Sequence, residues 1–271
     1  MRWSWLQLAS GTAVFLASLT VVDFGSVPEA GGASVLAVAL FAVPSIVAFL
    51  RWAGWRRGTV VLAAVGAAAT AVEGISVLTG FPYGRFSYSD ALGPLISGVV
   101  PFALPLSYLP LLVCALSLAR RFGGGDRLRT VILSAALLVA FDLVIDPGAV
   151  AAGLWVWEEP GIYYGIPLTN YFGWAITGLA YSAAALVLAG KGIGSRTVPR
   201  GISAGALLTL SFWTGYLLKT RYLLPVVSGA ALIALLCAVE WRKEGKRRGE
   251  EGRWNFLQAN LSESVLFDRT P

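Results

Sequence analysis

The chain has 271 residues, 56% of them apolar and only 13% charged, with a mean hydropathy of +0.71, which marks an integral membrane protein rather than a soluble domain. Eight apolar stretches of roughly 17 to 28 residues consume most of the chain, each near the length of about 20 that crosses a hydrocarbon core as a helix, so a Rossmann unit or P-loop has no room. The absence of histidine argues against zinc, haem, copper and non-haem iron sites, and the formal net charge of +6 is explained better by membrane topology than by nucleic-acid binding.

In chain order the spans run near Trp5 to Val22, Ala33 to Leu50, Gly58 to Thr79, Leu92 to Ala119, Thr130 to Ala152, Leu168 to Gly190, Pro199 to Leu218 and Tyr222 to Val239. The first follows a basic residue as a signal peptide would, yet Asp23 comes without a small-x-small cleavage site, and a retained helix is expected. The fourth contains Pro94, Pro101, Pro105 and Pro110, so a broken or re-entrant helix is expected there. Gly123 to Asp126 and Lys191 to Ser195 read as short inner loops, and Gly201 with Gly205 forms a small-xxx-small pair of low specificity. Cys114 and Cys237 lie within spans without CxxC spacing and read as small core residues.

These readings predict an all-α, polytopic transmembrane helix bundle of about eight spans. Residues 1–240 form one transmembrane catalytic domain and 241–271 a basic cytoplasmic tail drawn to anionic lipid head groups. With both termini cytoplasmic in the cell membrane, 18 of the 21 Lys and Arg residues fall inside, and only Arg85, Lys219 and Arg221 fall outside.

The chemistry is sought among acids within spans, because charge in a bilayer is costly and normally faces a protein interior with a partner or a task. They are Glu73, Asp142 and Asp146, each in the outer half of its helix. Asp142 and Asp146 are four residues apart, hence on one helical face one turn apart. Pro147 removes a backbone donor, so the helix either kinks there or restarts with Asp146 as a cap, and carboxylate and freed backbone groups then face one cavity. Close, buried carboxylates repel, so at least one of them is expected to keep a proton, the state a general acid needs. The competing reading is that these acids pair with Arg85 or hydrogen-bond to Tyr and Trp and only fix packing. A lone Asp-x-x-x-Asp lacks the second Asp-rich motif that a metal-diphosphate prenyltransferase requires, and no metal or cofactor is expected.

Two outer segments are dense in aromatic and turn residues. One runs from Gly80 to Pro94 and includes Tyr83, Arg85 and Tyr88; the other runs from Trp155 through Trp157, Tyr163, Tyr164 and Asn170 to Trp174. An interfacial aromatic belt would account for single Trp and Tyr residues, but not for so many Gly and Pro, which favours the lining of a pocket.

At these residues the chain resembles the membrane carotenoid 1,2-hydratases, the bisanhydrobacterioruberin hydratase and gamma-carotene 1',2'-hydratase type. The resemblance rests on Gly80-Phe-Pro-Tyr-Gly-Arg-Phe-Ser-Tyr, Leu92-Gly-Pro94 and Pro101, on Asp142-x-x-x-Asp146-Pro147, and on Trp155-x-Trp157, Gly161-x-Tyr-Tyr-Gly-Ile-Pro167, Asn170 and Phe172-Gly-Trp174, all within roughly residues 73 to 174. Tyr108 stands where the pattern leads one to expect Trp. The resemblance implies addition of water across the terminal double bond of an acyclic carotenoid end, giving a tertiary alcohol without a redox cofactor.

The residues suit that chemistry. A protonated carboxyl among Glu73, Asp142 and Asp146 can deliver the proton, and an ionised neighbour can deprotonate water. The faces of Trp155, Trp157, Tyr163, Tyr164 and Trp174 can stabilise the carbocation. Asn170 either holds the water or new hydroxyl, or caps the sixth helix. The expected partners are the acyclic carotenoid and the lipid bilayer, with association with other carotenoid-synthesis enzymes left open. The alternatives are a proton-coupled transporter and a carotenoid-binding or carotenoid-cyclising membrane protein.

Overall fold

A computed structural model of the chain describes residues 3–21, 30–190, 193 and 197–241. The tail beyond Trp241 and most of the predicted loop from Lys191 to Ser195 lie outside these residues. Eight α-helices stand among them: α1 (Trp3–Ser18), α2 (Ala30–Ala53), α3 (Trp55–Thr79), α4 (Leu104–Phe122), α5 (Arg127–Ala151), α6 (Leu168–Ala189), α7 (Ala204–Lys219) and α8 (Leu223–Trp241). Six of them, α2 to α6 and α8, are long and apolar enough to cross a membrane. The other two, α1 and α7, have 16 residues each, about 24 Å at 1.5 Å per residue, and are shorter than these six.

The helix ends follow local chemistry. Gly54, at φ 89°, breaks the chain between α2 and α3, and Gly80, left-handed at φ 85°, closes α3 with its N–H on the Ser76 carbonyl. The short inner loop after α4 is present, and Asp126 caps α5 by accepting from the Arg129 N–H at 2.7 Å.

Two expectations need correction. The fourth helix begins at Leu104, not Leu92. Pro94 and Pro101 shape a small antiparallel pair, β2 (Leu95–Ile96) with β3 (Val100–Pro101), and only Pro105 and Pro110 enter α4. The fifth helix does not restart at Pro147 but runs through it as one element. Pro147 leaves the Leu143 carbonyl without its usual donor four residues on, and the Tyr163 hydroxyl donates to that carbonyl at 2.9 Å. A side chain thus satisfies the gap that the sequence suggested would break the helix.

Helix α4 runs through the core, and its residues from Tyr108 to Ala119 are all buried. It packs against α2, α3, α5 and α7, and its Leu112, Cys114 and Leu116 belong to the same hydrophobic core as Phe141 of α5 and Tyr216 of α7. Cys114 is buried and Cys237 half-buried, as expected for small core residues. Lipid offers helices no hydrophobic drive to associate, so close approach of small residues and polar contacts hold them together. Thus α5 and α6 meet through the Ser182–Ser134 hydrogen bond at 2.9 Å, and Gly215 of α7 leaves no room for a side chain against Ser18 and Phe15 of α1. Gly205, one of the predicted small pair, also leaves no room for a side chain, against the Phe41 carbonyl of α2 and Pro110 of α4.

At one end of the bundle the two aromatic segments join. Strand β1 (Phe86–Tyr88) pairs antiparallel with β4 (Trp155–Trp157), setting Phe86 opposite Trp157 and Tyr88 opposite Trp155. The two blocks that looked alike in the sequence each contribute one strand to a ribbon that packs against α3 and α5.

Candidate functional site

Beneath that ribbon lies a cavity of about 390 Å³ lined by Glu73 from α3, Tyr108 from α4, Asp142 and Asp146 from α5, and Asn170, Trp174 and Tyr181 from α6. Tyr83, Phe86, Tyr88, Trp155 and Trp157 form its roof. All three predicted acids therefore face one space, and no Lys or Arg is among its described lining residues.

Asp142 and Asp146 are buried, at 0% and 4% exposure, and the one-turn spacing read from the sequence brings their carboxyls to the same partner. The Asn170 amide nitrogen donates to Asp142 Oδ2 at 2.8 Å and to Asp146 Oδ2 at 2.5 Å. An –NH₂ group has two protons to give, and both are used. Asn170 is consequently not the cap of α6: the capping position belongs to Pro167, and the Asn170 side chain is turned inward onto the two acids. The second oxygen of Asp142, Oδ1, is buried and has no hydrogen-bond partner among the described residues.

Glu73 stands on another wall, and its Oε1 accepts a hydrogen bond from the Tyr88 hydroxyl. Burial and then the adjacent Glu73 push the Tyr88 phenol well above its usual range, so Tyr88 keeps its proton and is the donor of this pair. The ribbon register fixes Tyr88 in turn, its ring meeting Trp155 edge-on at 5.9 Å.

Of the nine residues named in the two segments expected to line a pocket, six line the cavity: Tyr83, Tyr88, Trp155, Trp157, Asn170 and Trp174. Tyr83 is pinned by its hydroxyl on Thr177 Oγ1 at 3.1 Å and by its N–H on Ser76 Oγ at 3.1 Å. The other three are absent from the lining. Arg85 is exposed and pairs with none of the three acids, which removes the reading in which it neutralises them. Tyr163 is committed to the Leu143 carbonyl, where burial and the neighbouring Tyr164 push its phenol up to about 12 and keep it a donor. Tyr164 turns away to lie on Tyr222, ring centres 4.6 Å apart.

The sequence reading missed Tyr181, Trp213 and the side of the cavity formed by α2 and α7, and it treated Tyr108 only as a departure from the family pattern. Tyr108 lies between Trp174, at 5.6 Å, and Tyr181, at 5.7 Å. A signal for Tyr181 was available: Asn170, Trp174, Thr177 and Tyr181 are spaced by four, three and four residues, one continuous stripe of α6. No group of three or more potential metal-ligating side chains converges on a common point among the described residues.

A buried pair of acids on adjacent helical turns, a third acid on another wall and a roof of indoles and phenols thus share one otherwise apolar pocket of a helix bundle rich in membrane-spanning segments. The chain matches the family described as carotenoid biosynthesis proteins over residues 31–236, and it belongs to that family. The matched region runs from α2 into α8, well beyond the motif blocks of the sequence reading. Over 126 residues it is 40% identical to a protein of Haloarcula japonica named bisanhydrobacterioruberin hydratase. That stretch is 45% of this chain and 43% of the relative, so the likeness spans less than half of either protein. No solved structure matches the chain.

Proposed function

We propose that the protein is a carotenoid hydratase that adds water across the terminal double bond of an acyclic polyene end. The observation that carries this reading is the Asp142–Asp146 pair, held on one amide at an apolar cavity that Trp155, Trp157 and Trp174 also line. The name of the Haloarcula japonica relative supports the same substrate class.

In this proposal the pair holds one proton between two carboxyls, because two negative charges drawn to one neutral amide in a low-dielectric site repel. The double bond takes that proton: its π electrons form the new C–H bond at the less substituted carbon, and the pair is left doubly ionised. The positive charge resides on the tertiary carbon, beneath indole faces whose attraction for a desolvated cation is about 2 kcal/mol or more. Water attacks this carbon through oxygen and yields its surplus proton to Glu73, which Tyr88 holds in place. Return of that proton to the pair restores the site, and the balance is one water added with no change of oxidation state.

A cavity of about 390 Å³ is near the lower limit of ligand pockets, which run from about 300 to 1,000 Å³, so it takes the reacting end of a long polyene and not the whole chain. The distribution of Lys and Arg supports an orientation with both termini in the cytoplasm and the ribbon outside.

The test is the pigment mass profile of cells that make acyclic carotenoids, with and without this protein. Gain of one or two waters as tertiary hydroxyls is expected. Products isomeric with the substrate would replace hydration by cyclisation, and an unchanged profile with the protein confirmed in the membrane would overturn the proposal.

A further inference from the structure

The cavity does not stop at the carboxyls. It continues from the α5–α6 side to a second wall to which α2 contributes Ala33, Ala37 and Phe41 and α7 contributes Thr209 and Phe212. At one level these two helices are clamped. Ser45 Oγ donates to the Ile202 carbonyl at 2.9 Å and accepts from the Gly205 N–H at 2.8 Å, and Gly205 has no space for a Cβ. Toward the ribbon the clamp gives way to Phe41 and Phe212, whose rings meet edge-on at 6.5 Å, and then to the small side chains of Ala37 and Ala33.

The outer face of the same stretch of α2 carries Leu36, Leu40 and Val43, all more than half exposed on an apolar helix long enough to cross a membrane. One face of α2 thus meets the cavity and the adjacent face meets what surrounds the bundle, in this case lipid acyl chains.

We propose that the seam between α2 and α7, on the ribbon side of the Ser45–Gly205 clamp, is the lateral port through which the conjugated chain of the polyene passes, with Ala33 and Ala37 forming its slot. This rests on the hydratase reading of the carboxyl end. Three observations lead to the polyene as occupant. The arm is continuous with the reacting end, its named walls are apolar or small, and the cavity is too small to enclose a long chain, so the remainder must leave through a wall. A planar conjugated chain needs a narrow, straight slot, and alanine at two positions one turn apart on α2 leaves one. The ring pair Phe41 and Phe212 bounds the slot on the clamp side.

Ala37→Phe and the milder Ala37→Leu fill the slot, and Val187→Phe, at a 73% exposed position on α6 remote from it, is the control. Each full-length variant is purified into lipid nanodiscs. Binding of a long acyclic carotenoid is read by its induced visible circular dichroism, and hydration is followed for that carotenoid and for a short acyclic terpene alkene. Ala37→Phe is expected to weaken carotenoid binding about tenfold and to raise the short-to-long turnover ratio by a similar factor, with Ala37→Leu intermediate and Val187→Phe like the parent protein. Equal carotenoid binding by both Ala37 variants and the parent overturns the port. So does an equal loss on short and long substrates. If Ala37→Phe fails to fold, the binding shift of Ala37→Leu decides. Carotenoid bound by the parent protein but never hydrated overturns the hydratase reading instead, and the port then stands or falls on the binding data alone.

Discussion

The two acidic centres of the cavity are built in different ways. Asp142, Asp146 and Asn170 all come from helices, and their meeting needs only the 3.6-residue period of α5 and the packing of α6 against it. Glu73 comes from a helix too, but its partner Tyr88 comes from a three-residue strand whose position depends on pairing with Trp155–Trp157. The first centre is thus as rigid as the bundle. The second is coupled to the ribbon, and whatever displaces the ribbon displaces the hydrogen bond on Glu73. A rigid proton donor and an acid that answers to the roof would suit a site whose substrate must slide in beneath that roof.

Removing the rigid centre should be the most damaging change. Asp142→Asn and Asp146→Asn are each expected to lower turnover by about 10²- to 10⁴-fold, the usual range for a general acid, with the protein still inserted in the membrane. Product formation per inserted protein measures this, and near-normal turnover in both would remove the pair from the mechanism. Glu73→Gln is expected to cost about 10²-fold and to differ in pH profile. A base must lose its proton and an acid must keep one, so the rate of the parent enzyme should rise with pH on its acid limb and fall on its alkaline limb. Glu73→Gln should flatten the acid limb and Asp142→Asn the alkaline limb; the reverse pattern would exchange the roles of the two centres.

Next in size is Asn170→Ala, which leaves two buried carboxyls without their shared donor at about 1–3 kcal/mol for each unsatisfied group, roughly tenfold or more in turnover. Tyr88→Phe removes one hydrogen bond from Glu73 and is expected to cost about tenfold. Comparing the two by KM and kcat sharpens the contrast between the centres. The Asn170 change should fall on kcat alone, whereas the Tyr88 change should also raise KM, because Tyr88 belongs to the roof that closes over the substrate.

How much of this was legible in the sequence follows from the same contrast. The acids on α5 and their common face follow from spacing alone, and the helical bundle follows from length and hydropathy. That the Gly80–Pro94 and Trp155–Trp174 segments line a pocket rather than an interfacial belt was readable from composition, but their pairing as β1 and β4 was not, because a three-residue strand carries too few alternations to set a register. The reading of Arg85 as a partner for the acids failed because the next residue, Phe86, takes the inward place on the strand, and alternation sends Arg85 out. The α2–α7 wall was invisible for another reason: alanines and phenylalanines in an apolar helix look the same whether they face lipid, core or cavity.

The smallest effect concerns Tyr163, the residue whose predicted and observed places differ most. The sequence suggested a cavity wall, yet its hydroxyl donates to the Leu143 carbonyl at the point where Pro147 deprives α5 of a backbone donor. Leu143 lies between the two acids, so this bond steadies the turn that holds both carboxyls toward Asn170. Tyr163→Phe keeps the ring and its edge contact with Tyr171 at 5.7 Å, and removes only that donor. The stranded carbonyl costs about 1–3 kcal/mol if it stays dry, and less if water reaches it past the half-buried ring. A loss of a few-fold in kcat with KM unchanged is therefore expected, accompanied by a shift of the alkaline limb alone, since the acids are disturbed while the roof and Glu73 are not. A change in KM of comparable size would instead place Tyr163 against the substrate, and the two centres would then not be as separate as their construction makes them.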